Sequence, residues 1–205
     1  MRKVATVLTA VALAAVCLPA RAADEKAATD DEGFIKRWLL LAPIPLAENQ
    51  SGAEGLGKDQ IKDEAKLKPK AGEKVKVGDK ELEWKEYTAK DYFVDFNDFL
   101  GNQTEDSVGY AVCYVISDAE HKDIQLRTGS DDQAKVHLNG KEVWKFEDAR
   151  ALDKDQNTTE VTLNKGVNVV VFKIVNEKID WSGCLRFTDK DGAPIKGLKV
   201  TLKPE

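Results

Sequence analysis

The chain has 205 residues, with 36 acidic against 31 basic side chains and a formal net charge of −5. An acid excess of that size argues against a general nucleic-acid or anionic-membrane binder, because the surface repels phosphates. The length suits a single domain with a sizeable core, and no low-complexity linker divides it.

The chain begins Met-Arg-Lys and runs into VATVLTAVALAAVCLPARAADEK. A basic start, an apolar stretch ending near Ala20 and the small-x-small sequence Ala20-Arg21-Ala22 read as a secretory signal peptide over residues 1–22. Cys17 does not make it a lipoprotein signal, since Val16 occupies the place where a small residue is wanted. Pro19 ends the apolar run before it comfortably spans a bilayer, and no later stretch is apolar enough to cross one. Loss of Arg2, Lys3 and Arg21 leaves 28 basic and 36 acidic side chains, a mature charge of −8. The expected location is periplasmic or secreted. The Ala-rich signal is of bacterial type, so the sequons at Asn49, Asn102 and Asn157 are read as chance matches.

Residues 23–33, ADEKAATDDEG, read as a flexible polar tether ahead of one domain over 34–205. FIKRWLLLAPIPL reads as a strand that ends at Pro43. The polar stretch that follows contains KDQIKDEAKL, where Ile61 and Ala65 share a side at helical spacing, so a short surface helix is expected before Pro69. Its charges read as a solvated face. EKVKVGDKELEWKEY is a hairpin around Gly78-Asp79. VGYAVCYVIS and KDIQLRTG are strands on either side of DAEH. AKVHLNGKEVWKF is a hairpin whose Asn139-Gly140 loop fits a type I′ turn. TEVTLNKGVNVVVFKIVN, WSGCLRFTD and GLKVTLKP complete about nine strands, at the spacing of a β-sandwich or jelly roll. Alternating βα units are absent, which argues against Rossmann and barrel enzymes. The expected fold is an all-β jelly-roll sandwich with one short surface helix.

Three blocks in fixed order, LRTGSDDQAKVHLNGKEV, LNKGVNVVVFKIVN and WSGCLRFTDKDG, resemble the galactose-binding-like jelly rolls of secreted bacterial proteins. The likeness spans residues 108–200, and RWLLLAPIPL resembles a segment that precedes such domains. The first block has a looser likeness to protective-antigen-like sugar-binding domains, where adjacent aspartates hold calcium. Gln133 departs from that pattern, standing where a glycine often follows the two acids. The resemblance implies a jelly roll and a carbohydrate-binding-like role, though fold alone does not fix function.

Asp131 and Asp132 raise two readings. Two carboxylates on one loop suit calcium, yet they supply only part of its shell of six to eight oxygens. Ser-Asp-Asp after a strand is equally a corner that accepts its own backbone N–H groups, and that reading comes first. Trp38 and Trp84 read as core. Trp144 and Trp181 are candidate sugar platforms, with core filling the alternative. Arg150, on the long EDARALDKDQN connection with Asp153 and Asp155, reads as a pocket residue or as part of a loop-ordering ion-pair network. The two histidines, His121 and His137, give no zinc pattern, and no nucleophile elbow, His-Glu-x-x-His or phosphate loop is present.

Cys113 and Cys184 remain after cleavage, in a compartment that permits disulfides. Each sits on the lighter face of its strand, away from Tyr110, Val112 and Tyr114 in one and from Leu185 and Phe187 in the other. A disulfide between them is expected, against two reduced core thiols. The functional expectation is a non-catalytic secreted module binding carbohydrate through Asp131, Asp132, Trp144, Arg150 and Trp181. The alternative is an envelope protein–protein or assembly module that binds no sugar.

Overall fold

The computed structural model describes residues 29–204. The signal peptide and the first part of the tether lie outside the described residues. Residues 29–33 are not structureless: Asp30 Oδ1 accepts from Glu32 N and Phe34 N at 3.0 and 2.9 Å, and Thr29 bridges Ile35.

In chain order the elements are β1 (Arg37–Pro45), helix α1 (Gly52–Gly57), a 3-10 turn (Glu64–Lys66), β2 (Lys74–Val77), β3 (Lys80–Glu83), β4 (Lys85–Thr88) and β5 (Val94–Asp95). Helix α2 (Phe96–Leu100), β6 (Ser107–Ser117), β7 (His121–Asp131), β8 (Ala134–Leu138) and β9 (Lys141–Phe146) follow. The last are β10 (Asn157–Leu163), β11 (Gly166–Asn176), β12 (Ser182–Thr188) and β13 (Lys199–Thr201).

The larger sheet has the order β4-β1-β6-β11-β8-β9, with β13 also pairing β6; the smaller runs β10-β7-β12-β5. All pairs are antiparallel, and β2-β3 is a separate hairpin. The fold is an all-β sandwich, as expected. Asn139 and Gly140 both take positive φ, +54° and +82°, as the I′ turn requires.

The sheets close on one core. Phe172 and Ile174 of β11 press against Gly183 of β12, where an added Cβ would lie 2.5 Å from Ile174 Cδ1. Trp38 and Trp84 are buried, as their apolar contexts predict. β1 does not end at Pro43 but continues to Pro45, because a register shift between Leu41 and Ile44 takes the proline out of the β6 ladder.

The chain from 46 to 70 is a strap across the outer face of the larger sheet. Its helix is not where KDQIKDEAKL suggested. Helix α1 lies earlier, closed by a Ser51–Glu54 capping box. Asp63 sits at φ +56°, which stops helix propagation, and only the 3-10 turn follows. Nor are the charges all solvated, because Glu64 is 1% exposed. Its carboxylate accepts from Lys135 and Tyr110 Oη, and from Lys173 Nζ at 3.1 Å. Lys173 also donates to the carbonyls of Leu56 at 3.1 Å and Lys58 at 2.6 Å. Tyr114 Oη donates to Pro69 O at 2.7 Å at the strap's far end. Burial pushes the Glu64 carboxyl up, but the two lysines and the phenol override it and hold it below the ordinary carboxylate value. Burial likewise lowers Lys173, to about 8, against the pull of Glu64.

The expected disulfide is absent. Both thiols are free and buried. Each cysteine does lie on the lighter face of its strand, but the two faces point to different places. In β6 the bulky face, with Tyr110 and Tyr114, turns outward under the strap, so Cys113 faces the inside of the sandwich. In β12 the bulky face turns inward, so Cys184 faces out beneath the 147–156 loop, its Sγ 3.8 Å from Asp153 O. A full sheet layer separates the pair.

Two outcomes follow. Glu64→Gln leaves two buried ammonium groups without a counter-charge and is expected to cost about 3–5 kcal/mol in denaturant unfolding. Proteolysis of that variant should cut the 46–70 strap first; cleavage elsewhere first would contradict its role as the clamp. A chain starting at Ala23, unfolded without reductant, should titrate two thiols.

Candidate functional site

Three strand ends converge at one end of the smaller sheet. Ser182, opening β12, pairs with Asp131 at the end of β7 and with Asp95 at the end of β5. Between them and the 147–156 loop is a pocket of about 340 Å³. Its walls include the half-buried rings of Tyr92 and Phe93, the carboxylates of Asp95, Asp131 and Asp180, and Asn97.

The Asp131-Asp132 pair divides its work. Asp132 is a corner: Oδ1 accepts from Arg150 N at 3.2 Å and Oδ2 from Glu177 N at 2.9 Å. Ser130 Oγ closes the same turn on Asp132 O at 2.8 Å. Asp131 instead lines the pocket while only 8% exposed. No ion pair or side-chain hydrogen bond reaches its carboxylate among the described residues. Burial, then the neighbouring Asp132 and Asp180 charges, push it up to about 6, opposed by the Leu152 N–H.

Arg150 belongs to the scaffold. Its guanidinium donates to Ser130 O at 3.2 Å, Ser130 Oγ at 2.9 Å and Asn157 Oδ1 at 2.7 Å, and stacks 3.8 Å from the Phe146 centroid. The rest of the loop is ordered by Asp155, which accepts from Arg186 Nε at 3.0 Å and faces Arg127 at 3.7 Å. Of the three residues expected to form an ion-pair network, only Asp155 does so among the described residues, with Arg186 and Arg127, and Arg150 pairs with neither Asp153 nor Asp155.

Neither tryptophan is a platform. Trp144 is 8% exposed and packs edge-on against Phe172. Trp181 is stacked on Phe96 at 4.6 Å and 17°, with Nε1 donating to Ile174 O at 3.3 Å. Trp181 does form part of the pocket wall. The structure therefore brings Asp131 and Trp181 to one cavity, sets Asp132 and Arg150 behind it, and places Trp144 in the core. The half-buried aromatics of the pocket wall are Tyr92, whose ring has Lys154 Nζ 4.6 Å from its centroid, and Phe93, in AKDYFVDFNDFL. Adjacent aromatics in so polar a stretch are a signal of exposed rings, but without strand or helix periodicity nothing tied them to β7.

A larger groove of about 720 Å³ opens elsewhere, between Leu67 of the strap, Tyr114 and Val167, rimmed by Lys66, Lys68 and Lys141. None of the expected site residues reaches it. Its floor tyrosine already has a hydrogen-bond partner, whereas the smaller pocket holds a carboxylate that the fold leaves without a counter-charge. Among the described residues no group of three or more His, Cys, Asp or Glu is arranged to hold a metal ion. No helix among them is long and apolar enough to cross a membrane. No protein-family model matches this chain, and no curated protein matches it significantly.

The raised Asp131 value has a testable sign. A carboxyl whose folded value lies above its unfolded one contributes stability that is full below the unfolded value and is lost as pH rises through about 6. Asp131→Asn removes that loss. Its unfolding midpoint should match wild type near pH 4 and exceed it at pH 7; equal midpoints at both would refute the uncompensated carboxylate.

Proposed function

We propose that this is an exported, non-catalytic carbohydrate-binding module, and that its site is the Asp131 pocket. The observation carrying the reading is the buried Asp131 carboxylate, without a counter-charge, in a pocket whose wall includes half-buried Tyr92 and Phe93. A carboxylate accepts two hydroxyl hydrogen bonds in fixed directions, and each is stronger than a neutral one. Aromatic faces take the C–H face of a sugar ring while leaving its hydroxyls free. Asp180 and Asp95 keep the pocket acidic, which favours neutral sugars over uronates. Asp132 and Arg150 serve this reading as the frame that holds the β7 end and the 147–156 loop in register. Asp131 and Trp181 stay in the site; Tyr92, Phe93 and Asp180 join it.

Affinity electrophoresis through gels carrying xylan, galactomannan, barley β-glucan or polygalacturonate tests it. Retardation is expected on at least one neutral polysaccharide and not on polygalacturonate, equally in EDTA and in millimolar calcium. Asp131→Asn should weaken it about tenfold or more, the scale of a lost charge-assisted hydrogen bond. Retardation of wild type should fall as pH drops through about 6, where Asp131 gains its proton. Free passage through every neutral gel ends the carbohydrate reading.

A further inference from the structure

One residue beside the pocket conflicts with its own backbone. Ile179 has φ +63°, in the left-handed region. The other non-glycine residues there, Asn49, Asp63, Asp106, Asp123, Asn139 and Asp155, are all Asn or Asp, whose short polar side chains tolerate it. A β-branched side chain does not; its second Cβ branch crowds the following carbonyl. Ile179 is also the one exposed large hydrophobic among the described residues, 62% exposed.

Folding gains nothing visible from isoleucine here. Glycine or asparagine would relieve the backbone, and a polar side chain would suit the solvent. Strain of this kind persists where the surroundings impose it and something other than stability retains it. The turn is indeed held. Asn97 Nδ2 donates to Ile179 O at 2.8 Å, and both Asn97 and the next residue, Asp180, line the Asp131 pocket. The carbonyl that fixes the turn thus ties Ile179 to the pocket rim.

We propose that Ile179 is a ligand-binding residue of that pocket, an apolar edge that packs on the C–H face of the sugar unit next to the one held at Asp131. The inference rests on the carbohydrate reading and adds to it a polymer, since a single sugar in the pocket would leave Ile179 in water. Covering the side chain recovers the apolar burial that the free protein forgoes. The turn that carries the side chain is already anchored through the Ile179 carbonyl, so little order is lost on binding.

Three measurements test it: thermal unfolding of Ile179 variants without ligand, their retardation on the neutral polysaccharide that retains wild type, and the same gel for Asp131→Asn. Ile179→Gly is expected to raise the unfolding midpoint by about 2–4 °C, because the backbone relaxes. It should also weaken retardation about fivefold, as follows when about 40 Å² of apolar surface is no longer covered by the sugar. Ile179→Ala keeps a Cβ at positive φ and should weaken retardation as much with little thermal gain. If Asp131→Asn loses retardation while both Ile179 variants keep it, the role of Ile179 is overturned and the pocket stands. If wild type passes every neutral gel freely, the carbohydrate reading falls and this inference falls with it. A Gly variant that is less stable than wild type overturns the strain argument.

Discussion

Two lysines of the larger sheet and one glutamate of the strap meet in a buried cluster, and much of the architecture follows from that encounter. Lys135 and Lys173 lie side by side on β8 and β11, projecting from the outer face. An ordinary sandwich would leave that face to solvent, with polar residues alternating outward. Here Val169 and Val171 share it with Lys173, so it must be covered. The strap covers it, and Glu64 makes covering possible by supplying the counter-charge that two buried ammonium groups require. Tyr110 and the carbonyls of Leu56 and Lys58 take the remaining donors and acceptors. The cluster specifies where the strap lies more than it adds net stability, since desolvation offsets most of the attraction.

This arrangement explains why the sheets were legible in the sequence and the strap was not. Strand alternation, the Asn139-Gly140 turn and the LNKGVNVVVF run report local geometry, which the sequence encodes within a few residues. They locate the sandwich strands from β6 onward well. The identity of Glu64 as a buried residue depends on Lys135 and Lys173, 71 and 109 positions away, and nothing in KDEAKL distinguishes its glutamate from a solvated one. The same limit governs the cysteines. Alternation says which face of a strand each occupies; only the assembled sheets say whether that face looks inward or outward. For Pro43 the shortfall is different, because a register irregularity lets a strand pass a proline that would normally end it.

The candidate site shows the same division. Ser-Asp-Asp was readable as a corner, and Asp132 is one. That its neighbour is left facing a pocket depends on how β5 and β12 end beside β7, which is tertiary information. Trp144 and Trp181 were plausible platforms by strand position, yet size draws both into the core, where large aromatic rings gain most from burial. Smaller rings, Tyr92 and Phe93, stay half-buried in the pocket wall.

Glu64 and Asp131 are two buried carboxylates treated in opposite ways by one fold. Glu64 has two cations and a phenol, and its carboxyl is held below its ordinary value. Asp131 is held above, first by burial and then by the like charges of Asp132 and Asp180. Arg150, on the loop beside it, donates to Ser130 and Asn157 instead. One buried acid is fully paired, while the other, without a counter-charge, keeps hydrogen-bonding capacity open toward the pocket. Ile179, strained and exposed on the adjoining turn, repeats the pattern in apolar terms. Asp131 and Ile179 thus bring to one end of the smaller sheet a carboxylate without a counter-charge and an uncovered apolar side chain, both of which a ligand can complete.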